Sequence, residues 1–213
     1  MIRGLLLACR GIRRHSTRAE EIFVSKPHPD ILCAGDQRLR EVCKEVPEAK
    51  LPSEEVSNIA DHLLRVMRDA QSLGLSAPQL GYSWRIVALH VPEQYVRSLP
   101  ADLRASGAMV PVPETVYVNP KLKMIGMRRH VMYESCMSLM GFVGAVERHW
   151  KVELQAHDLA GRKVVKKVAG FEARLLQHEV DHLDGTLYSE RVLPGTLVRD
   201  EAFDAEFNSM YAR

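Results

Sequence analysis

No apolar run in this 213-residue chain approaches the roughly 18–20 residues a membrane-spanning helix needs. The longest near the start, Leu5 to Cys9, is far too short, so the mature protein is expected to be soluble. Cysteine is scarce as well: four residues, Cys9, Cys33, Cys43 and Cys136, widely and unevenly spaced. That is no disulfide framework, and it fits a reducing compartment in which a special cysteine acts as ligand or nucleophile. There is no internal repeat and no low-complexity stretch, which excludes solenoids and leaves one ordinary globular domain.

A third absence is local. Residues 1–18 contain no Asp or Glu, yet hold Arg3, Arg10, Arg13, Arg14 and Arg18 among a few leucines. An Arg-rich, acid-free, amphipathic start is the composition of a mitochondrial transit peptide. The expected organisation is therefore a transit peptide over 1–20 and a single domain over 21–213, located in the mitochondrial matrix. The charge follows this division. The whole chain carries +2, from 29 basic and 27 acidic residues. Without the five early arginines the balance turns to about −3, which gives no bulk electrostatic reason to bind nucleic acid.

Hydrophobic residues, 46% of the chain, are enough for a sizeable core. Residues 19–52, with four prolines, read as an extended irregular segment. Ser53 then stands as an N-cap before Glu54 and Glu55, and Val56, Ile59, Ala60, Leu63, Val66, Met67 and Ala70 recur at helical spacing. The stretch 73–81 reads as a loop, 85–90 as a strand, and the proline-bearing 91–113 as a long surface excursion. Strands are expected at 115–118, 121–125 and 131–133, and a hairpin over 150–168 with its turn at 158–161. After Gly170 a helix runs over 171–183 and ends at Asp184-Gly185. Helices scattered among antiparallel strands predict an α+β fold.

Chemistry concentrates on that last helix. His178-Glu179-Val180-Asp181-His182 is an HExxH pattern, and four residues at about 100° each bring both imidazoles to one face. Glu179 beside them is placed to take a proton from a metal-activated water. The same face continues through Leu175, Arg174 and Phe171, a mostly apolar surface suited to holding a side chain. Two histidines leave a hydrolytic site one ligand short. Cys136, in Glu134-Ser135-Cys136-Met137-Ser138, offers a thiolate; Glu190, Glu201 and Glu206 downstream are the alternative, as in an HExxH peptidase. Finally, Gly74-Leu75-Ser76-Ala77-Pro78-Gln79 combines small residues, which allow close backbone approach, with an amide able to stabilise an oxyanion.

Taken together and in this order, GLSAPQ at 74–79, ESCMS at 134–138 and HEVDHLDG at 178–185 closely resemble the peptide deformylase motifs. Gly141-Phe142, Val146-Glu147-Arg148 and Leu187-Tyr188 are similar to the organellar branch of that family. The likeness covers roughly residues 25 to 195. It implies small antiparallel sheets packed around a central HExxH helix, and removal of formyl groups from the N-terminal methionine of new mitochondrial polypeptides. Cys136, His178 and His182 would ligate one divalent ion, usually Fe²⁺, with Zn²⁺, Co²⁺ or Ni²⁺ as substitutes. Glu179 would be general base, with Gln79 and the Met137 backbone N–H forming an oxyanion hole. Leu73 and Gly74 would meet the substrate backbone, and Glu134, Phe171, Arg174 and Leu175 would border a methionine pocket. The partners implied are N-formylmethionyl chains and, from the organellar relatives, a homodimer. Three departures stand out: Ser72 and Ser135 replace family glycines, and Val143 stands where many members carry arginine. A Cβ at 72 or 135 would crowd the substrate or strain a backbone needing positive φ, leaving a catalytically weak peptide- or metal-binding protein as the alternative.

Overall fold

The computed structural model describes residues 27–200, so the Arg-rich start and the acids at 201 and 206 lie outside the described residues. Among the described residues, two antiparallel sheets and four α-helices make an α+β architecture. Strand β1 (Gly74–Ser76) pairs with β2 (Ile86–Val91), then β3 (Val112–Met124), β6 (Lys151–His157) and β7 (Lys163–Ala169) complete a five-stranded sheet in the order β1-β2-β3-β6-β7. A second sheet is formed by β4 (Arg129–Cys136), β5 (Leu139–His149) and the two-residue β8 (Val198–Arg199).

Period-two alternation on β2 and β3 buries both faces of the larger sheet. Ile86, Ala88, Val116 and Val118 face α1 (Glu54–Asp69), meeting Val56, Ile59, Ala60, Leu63, Val66 and Met67. Val87, Leu89 and Tyr117 point the other way, onto Ala173, Leu176 and Leu183 of the HExxH helix α4 (Gly170–Leu183). Leu63, Ile86, Leu89 and Leu176 are wholly buried, each contributing about 1.5–3 kcal/mol from area removed from water. The helix is thus clamped by its apolar stripe. Its opposite stripe, carrying Arg174, His178, Asp181 and His182, is left to face the β4–β5 hairpin.

The start of each helix follows from local chemistry. Ser53 caps α1, its hydroxyl accepting from the Val56 N–H at 3.4 Å. At α4 no side chain caps the N-terminus. Gly170 instead makes the strand-to-helix corner at φ +65°, and an added Cβ would strike the Gly107–Ala108 backbone and side chain. Its N–H donates to Trp150 O at 2.8 Å, fixing where β7 stops.

The structure revises several sequence expectations. The stretch 73–81 is not a plain loop: it forms β1 and a 3-10 turn, Ala77–Leu80. Two short helices, α2 (Glu93–Ser98) and α3 (Ala101–Gly107), occupy the supposed excursion, each entered from a proline. The strands expected at 115–118 and 121–125 are one strand. Its register shifts between Val118 and Lys121, where Asn119 adopts φ +52° and its side-chain amide bonds both Val46 N and Val46 O at 2.8 Å. Strand β5 was not foreseen. Among the described residues no helix is long and apolar enough to cross a membrane.

Candidate metal centre

Three donors from two elements meet. Helix α4 supplies His178 and His182, whose ring centroids lie 5.1 Å apart. Strand β4 ends at Cys136, whose Sγ sits 3.2 Å from His182 Nε2. The three candidate ligand atoms all fall within 4.8 Å of one another. Cys136, His178 and His182 are 6%, 9% and 1% exposed, so the cluster is enclosed by protein.

Glu134 organises this cluster from behind. It lies two residues before Cys136, across a register shift in β4, and its Oε2 accepts from His178 Nδ1 at 3.0 Å. That bond fixes the tautomer with the proton on Nδ1 and turns Nε2 toward the thiol. Arg148, on β5, reaches Glu134 with Nε at 3.0 Å and Nη2 at 2.8 Å, and its Nη1 donates to Asp181. Arg174 adds a bond to Glu134 Oε1 and others to the Val146 and His130 carbonyls. Arg191 closes the network with a two-pronged contact on Asp181 at 2.6 and 2.7 Å. Three guanidiniums thus face two carboxylates behind the donor cluster.

The electrostatics agree. Burial alone would push Glu134 up, but His178 and Arg148 hold it well below the usual carboxylate range. Burial would likewise raise the Cys136 thiol, yet His182 and His178 bring it well below its ordinary value. His178 is raised: burial disfavours its charge, and Cys136 and Glu134 more than offset that. Two buried atoms there have no hydrogen-bond partner, His182 Nδ1 and Glu179 Oε2. The sulfur–nitrogen–nitrogen donor set, with donor atoms within 4.8 Å of one another and an unpartnered Glu179 Oε2 beside them, fits one divalent ion.

Glu179 projects beside the donors, 3% exposed, and burial pushes its carboxyl up to about 7 against the pull of the two histidines. It lies against Gly74: a Cβ there would come within 3.0 Å of Glu179 Cδ and nearer still to Oε1. The bare glycine is what lets the β1 backbone pass the carboxylate. Gln79, in the 3-10 turn, is 2% exposed. Its Oε1 accepts from Ser76 N and Ser76 Oγ, both at 2.9 Å. Since an amide N–H only donates, this settles the orientation of the side chain and directs Nε2 toward Cys136 Sγ (3.6 Å) and Ser138 Oγ (3.2 Å).

The structure therefore brings Cys136, His178, His182, Glu179, Gln79 and Gly74 together. Met137 follows Cys136 in the turn between β4 and β5 and is buried. Leu73 turns its carbonyl inward to His90 N at 2.9 Å, so Gly74 is the residue presenting backbone toward the site. Phe171 and Leu175 pack, half-buried, with Val91, Val96 and Val112. The charged ends of Glu134 and Arg174, expected at a pocket wall, are instead engaged with each other and with backbone carbonyls. Neither Ser72 nor Ser135 has positive φ, so the strain expected at these former glycines is absent. Val143 is buried in β5 opposite Val198.

Sequence reasoning missed the roles of Arg148, Asp181, Gln177 and Tyr188. Gln177 bonds both His149 N (3.0 Å) and His149 O (2.9 Å), tying the helix to the end of β5. Tyr188 stacks on His178 at 5.9 Å, its hydroxyl donating to Phe142 O at 2.8 Å. Asp181 carried a signal, a charged residue on the ligand-bearing stripe of a buried helix.

Comparison with known proteins points the same way. The family model for polypeptide deformylase matches residues 29–196. Peptide deformylase 1A, chloroplastic, of Solanum lycopersicum is 38% identical over 176 residues, 83% of this chain and 64% of that protein. The mitochondrial peptide deformylase of Homo sapiens is 37% identical over 166 residues, 78% of this chain and 68% of that one. The match thus spans somewhat under two thirds of the tomato protein's length. A Met-Ala-Ser-bound crystal structure of a class I type b peptide deformylase from Acinetobacter baumannii superposes with a TM-score of 0.67 at 27% identity, covering 80% of this chain and all of that one. With the fold, the three ordered motifs and a match over most of its length in agreement, the chain belongs to the polypeptide deformylase family.

Proposed function

We propose that this protein is an active peptide deformylase that hydrolyses the formyl amide of N-formylmethionyl chains in mitochondria, releasing formate. The observation that carries the reading is a buried Cys-His-His donor set beside a carboxylate with an unpartnered oxygen. Cys136, His178 and His182 would hold the ion, and Fe²⁺ is our assignment, resting on the family. Such an ion, when bound, supplies Lewis acidity and a water of lowered pKa.

The chain's residues do the rest. Glu179, raised toward neutrality by burial, takes a proton from the attacking water and returns it to the leaving amine. The ion's charge would draw that carboxyl back down, leaving it ionised and ready to accept. Gln79 Nε2, aimed at the sulfur by Ser76, and the Met137 backbone N–H donate to the oxygen on which charge develops. Glu134, locked by Arg148 and Arg174, keeps His178 in the ligating tautomer. Phe171 and Leu175 offer apolar surface to the methionine side chain. Met-Ala-Ser, the tripeptide held by the Acinetobacter relative, has the form of a deformylated product.

A mitochondrial location draws support from the acid-free, Arg-rich start and from the mitochondrial and plastid relatives. The peptidase alternative gains nothing: Glu190 already accepts from the Leu187 N–H and pairs with Arg40. The test is formate release from formyl-Met-Ala-Ser by metal-loaded protein, wild type against Glu179→Ala. Turnover by the wild type and its near-loss in the variant are expected. Equal rates in the two, or none in either, would overturn the reading.

A further inference from the structure

Ser72 stands where the family motif has glycine, and the strain expected of it is absent. What its side chain does is read from the edge of β1. In the ladder with β2, Gly74 lies opposite Leu89, and the neighbouring pair is bonded through His90 N to Leu73 O at 2.9 Å. Bonded and non-bonded pairs alternate in an antiparallel ladder. The backbone groups of Gly74 and Ser76 therefore point away from β2, along the unpaired edge of the five-stranded sheet. This edge runs past Glu179, because Gly74 abuts its carboxylate.

On that edge two backbone groups are held by the chain's own side chains. Ser76 N–H donates to Gln79 Oε1, the contact that orients the oxyanion amide. Gly74 C=O accepts from Ser72 Oγ at 3.0 Å, and Ser72 is 7% exposed, so water competes little for this bond. An extended peptide adding to a sheet edge binds through just such carbonyls.

We infer that Ser72 sets the affinity of peptide binding: its hydroxyl donates to the Gly74 carbonyl, which an extended formyl-peptide must share or take over to seat beside Glu179. The inference rests on the deformylase reading for its substrate. It assigns to position 72 a brake on affinity for the peptide backbone, with the reacting groups untouched. A glycine there, as in the family motif, carries no such competitor.

The experiment uses the full chain loaded with Co²⁺, as wild type, Ser72→Ala, Ser72→Gly and Ser72→Thr. The alanine and glycine variants are expected to lower KM for formyl-Met-Ala-Ser, and Kd for Met-Ala-Ser by calorimetry, by roughly three- to ten-fold, the worth of one neutral hydrogen bond. Their kcat stays near that of the wild type, and the threonine variant, which keeps a hydroxyl, behaves as wild type. A series of substrates with one backbone N–H at a time replaced by an ester oxygen locates the contact: the gain in the alanine variant vanishes for one member and persists for the others. Unchanged or raised KM and Kd in folded Ser72→Ala, the same gain in Ser72→Thr, or a gain that survives every ester would each overturn the inference. A wild type that releases no formate sinks the deformylase reading instead, while the calorimetric comparison still decides the role of Ser72.

Discussion

Replacing Gly74 with alanine adds one methyl group at the point where β1 passes the Glu179 carboxylate. The backbone tolerates the change, because φ at Gly74 lies outside the left-handed region. The space does not. The new Cβ would lie 3.0 Å from Glu179 Cδ and 3.1 Å from Leu89 Cδ2, with Oε1 closer than either. Carbon pairs settle at about 3.5–4.0 Å, so the carboxylate must retreat by several tenths of an ångström to about one, or β1 must back away from α4. A misplacement of about 1 Å costs roughly a hundred-fold in rate, and overpacking a filled site costs about 1–3 kcal/mol of stability. Gly74→Ala should therefore lower kcat for formate release far more than it raises KM, with a modest fall in Tm. Steady-state kinetics with thermal denaturation on the same preparation reads both. A variant with kcat within about three-fold of wild type would refute the claim that the β1 backbone sets the position of Glu179.

Two further outcomes follow from the buried groups. Glu134→Gln removes the carboxylate that orients His178 and leaves Arg148 and Arg174 buried with too little negative charge. Metal affinity in a chelator titration should drop about 10–100-fold, and urea denaturation should show about 3–5 kcal/mol lost; an unchanged chelator midpoint would count against the network. Burial pushes the Cys43 thiol up to about 11, whereas Cys33 is exposed. In native protein near pH 8, iodoacetamide should modify Cys33 and spare Cys43, with labelling of Cys43 gaining only as the pH climbs toward 11. Mass spectrometry of peptides counts the adducts, and early labelling of Cys43 would contradict its burial.

The HExxH helix was legible because one short segment carries both its period and its chemistry, and Gly170 and Asp184-Gly185 punctuate it visibly. Helix α1 was legible for the same reason, with Ser53 at its head. Strand β5 was hidden because Val143, Ala145 and Val146 are all buried. Tyr188 and Val192 meet Val146, and this covering erases the alternation that betrays a half-exposed strand. Helices α2 and α3, six and seven residues long, are too short to display a period, and the prolines that start them read as loop. The gap left between the strands expected at 115–118 and 121–125 is a register shift inside one strand, where Val46, distant in sequence, satisfies the Asn119 amide.

At the site, the three residues whose donor atoms converge could be picked out from ordered motifs, since each side chain's chemistry is its own. The partners of Glu134 could not. Arg148 and Arg174 are long side chains whose targets depend on how β5 and α4 come together, and an acid two residues from a ligand cysteine can line a pocket or brace a histidine equally well. The fate of Ser72 was hidden for a similar reason: whether a Cβ there strains the chain or lends it a hydroxyl depends on φ and on where the Gly74 carbonyl points.

The most direct measurement is the electronic spectrum of the Co²⁺-loaded chain, taken together with its metal content. Wild type should bind one Co²⁺ per chain, with visible bands of four-coordinate cobalt and a near-ultraviolet thiolate-to-metal transition. Cys136→Ser should abolish that transition and most of the binding, and His178→Ala and His182→Ala should each remove the visible bands. A thiolate transition that survives Cys136→Ser, or stoichiometric cobalt bound without one, would contradict the convergence of these three side chains on a single ion.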